Sequence, residues 1–153
     1  MKQLFNPACQ LELTDRIRQL TLNHMARWGE MNVGQMVCHC TDPLREALGL
    51  RPTKDMSNLL SRTVFKWASL FLLNKWPEGK LPTSPEYNQQ ISGTTPTTFE
   101  KDKEQLLRLL ETVCSQPNWY RFQPHPFFGN LSRKELGVLV YKHLDHHLRQ
   151  FGA

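Results

Sequence analysis

From Leu136 to Phe151 the apolar residues return every three or four positions, and two histidines four residues apart fall inside the same stripe. A run of that period folds as an amphipathic helix with one face packed against other elements. At about 100° per residue, with His143 at zero, Leu136, Leu139, Val140, Leu144, Leu148 and Phe151 centre near roughly +60°. His147 falls at about +40°, inside the stripe, and His146 at about −60°, on its edge, while Asp145 and Arg149 point to solvent. Two imidazoles facing a core are costly to bury without partners. A metal ion satisfies one nitrogen on each; the alternative is a pair of core histidines hydrogen-bonded to their neighbours. The spacing favours ligation, and a third ligand has to come from elsewhere in the chain.

The other periodic segments are helical too. A first short helix is marked by Leu13, Ile17, Leu20 and His24, with a polar break at Thr21 to Asn23. A second opens at Asn32, a good N-cap, and runs through Val33, Met36, Val37, Cys40, Leu44 and Leu48 to a stop at Gly49. Pro43 inside it predicts a kink, or an end near Asp42 followed by a fresh turn. A third spans about Met56 to Asn74, with Leu60, Val64, Trp67, Leu70 and Phe71 at helical spacing and its aromatics expected in the core. Thr97 and Glu100 read as a capping box for a fourth, striped by Phe99, Leu106, Leu110 and Val113 and ending near Gln116-Pro117. Ser132 and Glu135 form another box, opening the histidine helix, which stops at Gly152.

Between the third and fourth helices, Trp76 to Pro96 is rich in Pro, Gly, Ser, Thr and Asn. So long a loop reads either as a binding loop or lid, or as a crossover at the end of the bundle. The stretch Asn118 to Asn130, crowded with aromatics and prolines, predicts a rigid cap. With no alternating strand run and no internal repeat, the expectation is an all-α fold. It is a single four-helix bundle domain over 1–153 with an additional short helix and a long crossover loop.

Composition narrows the function classes. The formal charge of +5 comes from lysines and arginines scattered among acids, and no helix-turn-helix, zinc finger or aromatic-basic RNA motif is present, so no nucleic-acid partner is expected. An anionic small substrate is compatible with that charge. The most apolar stretch, Val64 to Leu73, contains Lys66 and is too short to cross a bilayer, so no membrane partner is expected. The N-terminal residues lack an apolar signal region, and the four cysteines, 9, 38, 40 and 114, lack a disulfide-framework spacing. Reduced thiols in a cytoplasm are expected. Cys38 and Cys40 flank His39 but project about 200° apart on a helix, so the three cannot close on one ion, and one of the cysteines is expected in the core.

Candidates for the third ligand are His24, His39, His125, His146 and the carboxylates. His39 lies about 120° from the centre of its helix's apolar stripe, among Gln35, Asp42 and Glu46, on a side that is either solvated surface or the wall of a polar cleft. Periodicity does not choose among them.

The blocks Arg27-Trp-Gly-Glu-Met31, Gln35-Met-Val-Cys-His39 with Ala47-Leu-Gly49, His125-Pro-Phe-Phe-Gly129 and Tyr141 to Gly152 resemble the DinB superfamily. These are metal-binding four-helix bundles, also called DinB/YfiT-like metalloenzymes, and the likeness is to a small bacterial branch of them. The resemblance implies a metal on one histidine of the second helix and a His-x-x-x-His pair of the last, here His39, His143 and His147. Many relatives read His-His-Arg-Gly-Gln where this chain reads His146-His-Leu-Arg-Gln150, with Leu148 in place of the Arg.

Three histidines leave coordination positions open, as in catalytic zinc sites, and Ni²⁺ or Fe²⁺ would accept the same ligands. The chemistry expected is a nucleophile made from water or a thiol at neutral pH. Glu46, Asp42 and His146 are candidates for catalytic proton carriers. His125, Gln150 and Trp119 are candidates for substrate contact, with a structural role in the aromatic cap as the alternative for His125. Superfamily members include transferases using bacillithiol or mycothiol and a mycothiol-dependent maleylpyruvate isomerase. The resemblance therefore implies a metal-dependent thiol S-transferase or hydrolase acting on a small molecule, with a low-molecular-weight thiol as co-substrate and a homodimeric assembly. The alternative is a non-catalytic metal-binding or ligand-binding bundle, or a metal-free interaction domain.

Overall fold

The computed structural model describes residues 1–80 and 87–153. Among them the regular structure is helical, apart from one isolated antiparallel bridge between His125 and Gly129. The all-α bundle is built from α1 (Pro7–Gln19), α2 (Val33–Ala47), α3 (Phe99–Ser115) and α4 (Arg133–Gln150). Its core joins Leu13 and Ile17 of α1 with Met36, Val37 and Leu44 of α2, Leu106, Leu110 and Val113 of α3, and Val140, Leu144 and Leu148 of α4. Each such side chain contributes about 1.5–3 kcal/mol by leaving water.

The first helix is a full bundle member and starts earlier than its apolar spacing predicts. Asn6 caps it, its side chain accepting from the backbone N–H of Ala8 and Cys9, and Pro7 occupies a position where no N–H is needed. The helix ends at Gln19, so His24 lies outside it, in a turn where its Nδ1 accepts from the Thr21 N–H.

In α2 the Asn32–Gln35 capping box is formed, and the helix continues through Pro43 to Ala47 with no end at Asp42. Gly49 stops it at φ +74°, where the N–H of Leu50 reaches the Arg45 carbonyl at 2.8 Å. Both Cys38 and Cys40 are buried, where one was expected, and all four cysteines are free. Burial and the neighbouring Asp102 push the Cys38 thiol up to about 12, so it is inert.

The segment read as a third bundle helix is peripheral. Residues 59–72 form a wide-wound helix whose π-helical turns are Ser61–Phe65 and Ala68–Leu72. Leu70 alone of its expected core set is fully buried, joining Phe128, Val138 and Leu139 in a second cluster, with Phe71 packed at the edge. Leu60, Val64 and Trp67 are 59%, 56% and 56% exposed. The amphipathic spacing is real, but α1 fills the bundle position this helix was assigned. Lys142 of α4 fastens it: the buried ammonium donates to the carbonyls of Ser69, Leu70 and Leu73 at 3.1, 2.6 and 2.6 Å.

Helix α3 begins at Phe99 after Thr98, which makes no side-chain cap bond, so the Thr97–Glu100 box is absent. Asp102 takes its place, its carboxylate accepting from the Thr97 N–H and hydroxyl, both at 2.8 Å. The Ser132–Glu135 box of α4 is formed. The aromatic stretch before it folds back on the bundle: Phe122 packs near Phe5 and the Gln123 N–H reaches the Ala47 carbonyl at 2.9 Å. No described helix is long and apolar enough to cross a membrane.

Candidate metal centre

One turn of α4 separates His143 from His147 and sets their ring centroids 4.7 Å apart. His39 comes across from α2, its centroid 4.9 Å from His143 and 4.5 Å from His147. The Nε2 atoms of His39 and His143 stand 2.9 Å apart, and one ligand nitrogen from each of the three histidines lies within 4.8 Å of the others. Imidazoles bound to zinc at about 2.0–2.1 Å in tetrahedral geometry have nitrogens about 3.3–3.4 Å apart, inside that spread. Three buried or half-buried histidines therefore stand close enough to hold one metal ion.

The far nitrogens explain why the near ones are available. His39 Nδ1 lies 2.8 Å from the Tyr87 carbonyl, which only accepts, so Nδ1 carries the proton and Nε2 keeps its lone pair. His147 Nδ1 lies 2.8 Å from Gln150 Oε1, and the Gln150 amide nitrogen donates to the Trp28 carbonyl at 2.6 Å. That second bond fixes the amide's orientation, so His147 also donates from Nδ1 and turns an unprotonated Nε2 inward. Gly29 makes the approach possible: at φ +77°, a Cβ there would sit 2.8 Å from the Gln150 amide nitrogen. Burial lowers the pKa of all three rings, well below the ordinary histidine value for His143 and His147, where the neighbouring imidazoles add to it. Neutral, lone-pair-bearing imidazoles are the form a divalent ion needs.

The polar side of α2 is a buried wall. Asp42 is fully buried; one oxygen accepts from the Thr94 hydroxyl and Arg45, the other from the Thr94 N–H and Gln89. Glu46 accepts from the Tyr87 hydroxyl and, at 2.9 Å, from Arg51. Burial raises its pKa in spite of both partners. These carboxylates, read as candidate proton carriers, are engaged by the segment 87–94, which lies along α2. That part of the long loop is docked, whereas 81–86 lies outside the described residues.

His146 is buried beside the cluster, its ring 5.1 Å from His147, 5.7 Å from Trp28 and 6.2 Å from Trp76, with no hydrogen-bond partner at Nδ1. Its pKa is lowered by burial and by Arg149, against the pull of the Trp76 carbonyl. His125 is engaged in the aromatic cap: its Nδ1 accepts from the N–H of Phe127 and Phe128, both at 3.1 Å, and its ring stacks on Phe128. Gln150, a candidate for substrate contact, is engaged by His147 and Trp28, and Trp119 stands 76% exposed, outside the histidine cluster. Leu148 is a core residue. Sequence reasoning missed Tyr87 and Trp28, which act through backbone carbonyls that no side-chain pattern announces.

Fold and site together define a class: an all-α bundle with a buried cluster of three histidines, suited to one metal ion. The chain belongs to a family described as a protein of unknown function (DUF1569), whose model matches residues 6–153. No curated protein and no solved structure matches it.

Proposed function

We propose that the chain is a metal-dependent enzyme of the DinB/YfiT-like kind, holding a divalent ion (zinc, nickel or iron) on His39, His143 and His147. The observation that carries this reading is the pair of buttressed tautomers: the Tyr87 carbonyl and the Gln150 amide each hold a ligand ring with its free nitrogen turned inward. Such an ion supplies Lewis acidity that makes a nucleophile of water or of a thiol at neutral pH. His39 and His147 hold it rigidly, and His143 is the most exposed of the three. His146, with a free Nδ1 beside His147, is the residue placed to exchange a proton there. The substrate class is a small electrophile, with a low-molecular-weight thiol as co-substrate in a cytoplasmic setting, and the four free cysteines agree with reducing conditions.

The second reading is a non-catalytic metal-binding bundle, since the three histidines suit an ion whether or not a reaction follows. Thiol consumption with a panel of small electrophiles separates the two. The enzyme reading expects turnover that needs the metal and is lost in a His143→Ala/His147→Ala variant. Full metal loading without turnover selects the second reading.

The proposed assembly is a homodimer. Its support is the exposed apolar residues of the wide-wound helix, Leu60, Val64 and Trp67 among them, whose neighbours Arg62 and Lys66 are already paired with Asp55 and Glu135. A neutral, apolar surface suits a second copy of itself.

A further inference from the structure

We propose that residues 87–94 form a strap that loads the metal centre, with Tyr87 and Glu46 as positioning residues for the ligand His39. The inference rests on the metal-binding reading above and deepens it: metal affinity and strap closure are one coupled equilibrium.

His39, Asp42 and Glu46 sit three and seven residues apart on α2, within about 60° of one another around the helix. The strap lies along that face and touches all three. At its start the Tyr87 carbonyl accepts the His39 Nδ1 proton, and the Tyr87 hydroxyl donates to Glu46. Arg51 bonds the other Glu46 oxygen, stands over the Tyr87 ring at 5.9 Å and donates to the Ser92 carbonyl at 3.2 Å. At its end Thr94 gives both N–H and hydroxyl to Asp42, and Gln89 adds its amide. The side chain of Tyr87 thus fixes where its own carbonyl stands, and the carbonyl fixes the tautomer of a ligand.

Lifting the strap takes the acceptor from His39 and leaves Asp42 and Glu46 with their arginine partners, Arg45 and Arg51. The open state loses the strap's own bonds to all three side chains, so it is both less stable and poorly arranged for ligation. Because the closed strap strengthens metal binding, bound metal must strengthen closure by the same factor.

The test uses the full chain, stripped of metal by chelation and titrated with Zn²⁺ against a chromophoric chelator. Wild type is compared with Tyr87→Phe, which keeps the carbonyl and loses the hydroxyl, and with Thr94→Val. Both variants are expected to bind Zn²⁺ on the order of tenfold to a hundredfold more weakly. Amide exchange of the wild-type segment 87–95 is expected to slow when Zn²⁺ is added, and that slowing is expected to vanish in His143→Ala/His147→Ala. A purely structural role for Tyr87 would lower the melting temperature of the metal-free variant and leave its Zn²⁺ affinity unchanged. Wild type that binds Zn²⁺ while both variants match it, with no metal-dependent slowing in 87–95, overturns the strap alone. Wild type that takes up no Zn²⁺ overturns the metal reading and the strap with it.

Discussion

His125 shows how a single residue here answers to acid. Burial holds its pKa at about 4, while in the unfolded chain it titrates near 6.5. Between those values the unfolded chain binds the extra proton, so stability is full above about pH 6.5 and is lost as pH falls toward 4. His39, His143, His146 and His147 are shifted in the same direction and add to the slope. For His125 the loss between pH 7 and pH 5 is about 2 kcal/mol. Asparagine in its place keeps an acceptor two and three residues before the same N–H groups and cannot titrate. Urea unfolding of the metal-free protein should therefore lose less stability from pH 7 to pH 5 in His125→Asn than in wild type. Equal losses would place the acid sensitivity elsewhere.

Among the elements, the wide-wound helix is the one at the periphery of the bundle. Leu70 anchors it in a small cluster, and Lys142 closes its last carbonyls. Lys142→Met should cost about 1–3 kcal/mol by stranding those acceptors. Amide exchange should speed up across 59–73 while α1 and α3 keep theirs; unchanged exchange would show that the ammonium is not the fastener. The same helix marks what the sequence leaves unreadable. The spacing of Leu60, Val64, Trp67 and Leu70 reports that a helix has an apolar side, not what covers that side. Conversely, Leu13 and Ile17 announced a helix, but its length depended on Asn6 and Pro7, upstream of the stripe. On α4 phase alone put His143 and His147 together, because both histidines belong to one helix. His39 escaped that logic: it packs between the rings of α4 and the Tyr87 carbonyl, 48 residues further along the chain, partners that no periodicity within α2 can register. The resemblance singled it out, and the fold brings it to the pair.

At the scale of the whole molecule, the wide-wound helix and the histidine cluster meet on α4, which carries Lys142 next to His143. If a second copy covers the wide-wound helix, sedimentation at micromolar concentration should give a dimer, and Trp67→Glu, 56% exposed in one chain, should give a folded monomer. A monomeric wild type would contradict the dimer and leave the metal centre untouched. The most direct test of the central claim is metal content by mass spectrometry on untagged protein, compared with the His143→Ala/His147→Ala variant. The expected result is one divalent ion per chain that is absent from the variant. Substoichiometric metal in both, even after incubation with Zn²⁺, Ni²⁺ and Fe²⁺, would contradict the metal centre and leave a histidine-lined bundle core in its place.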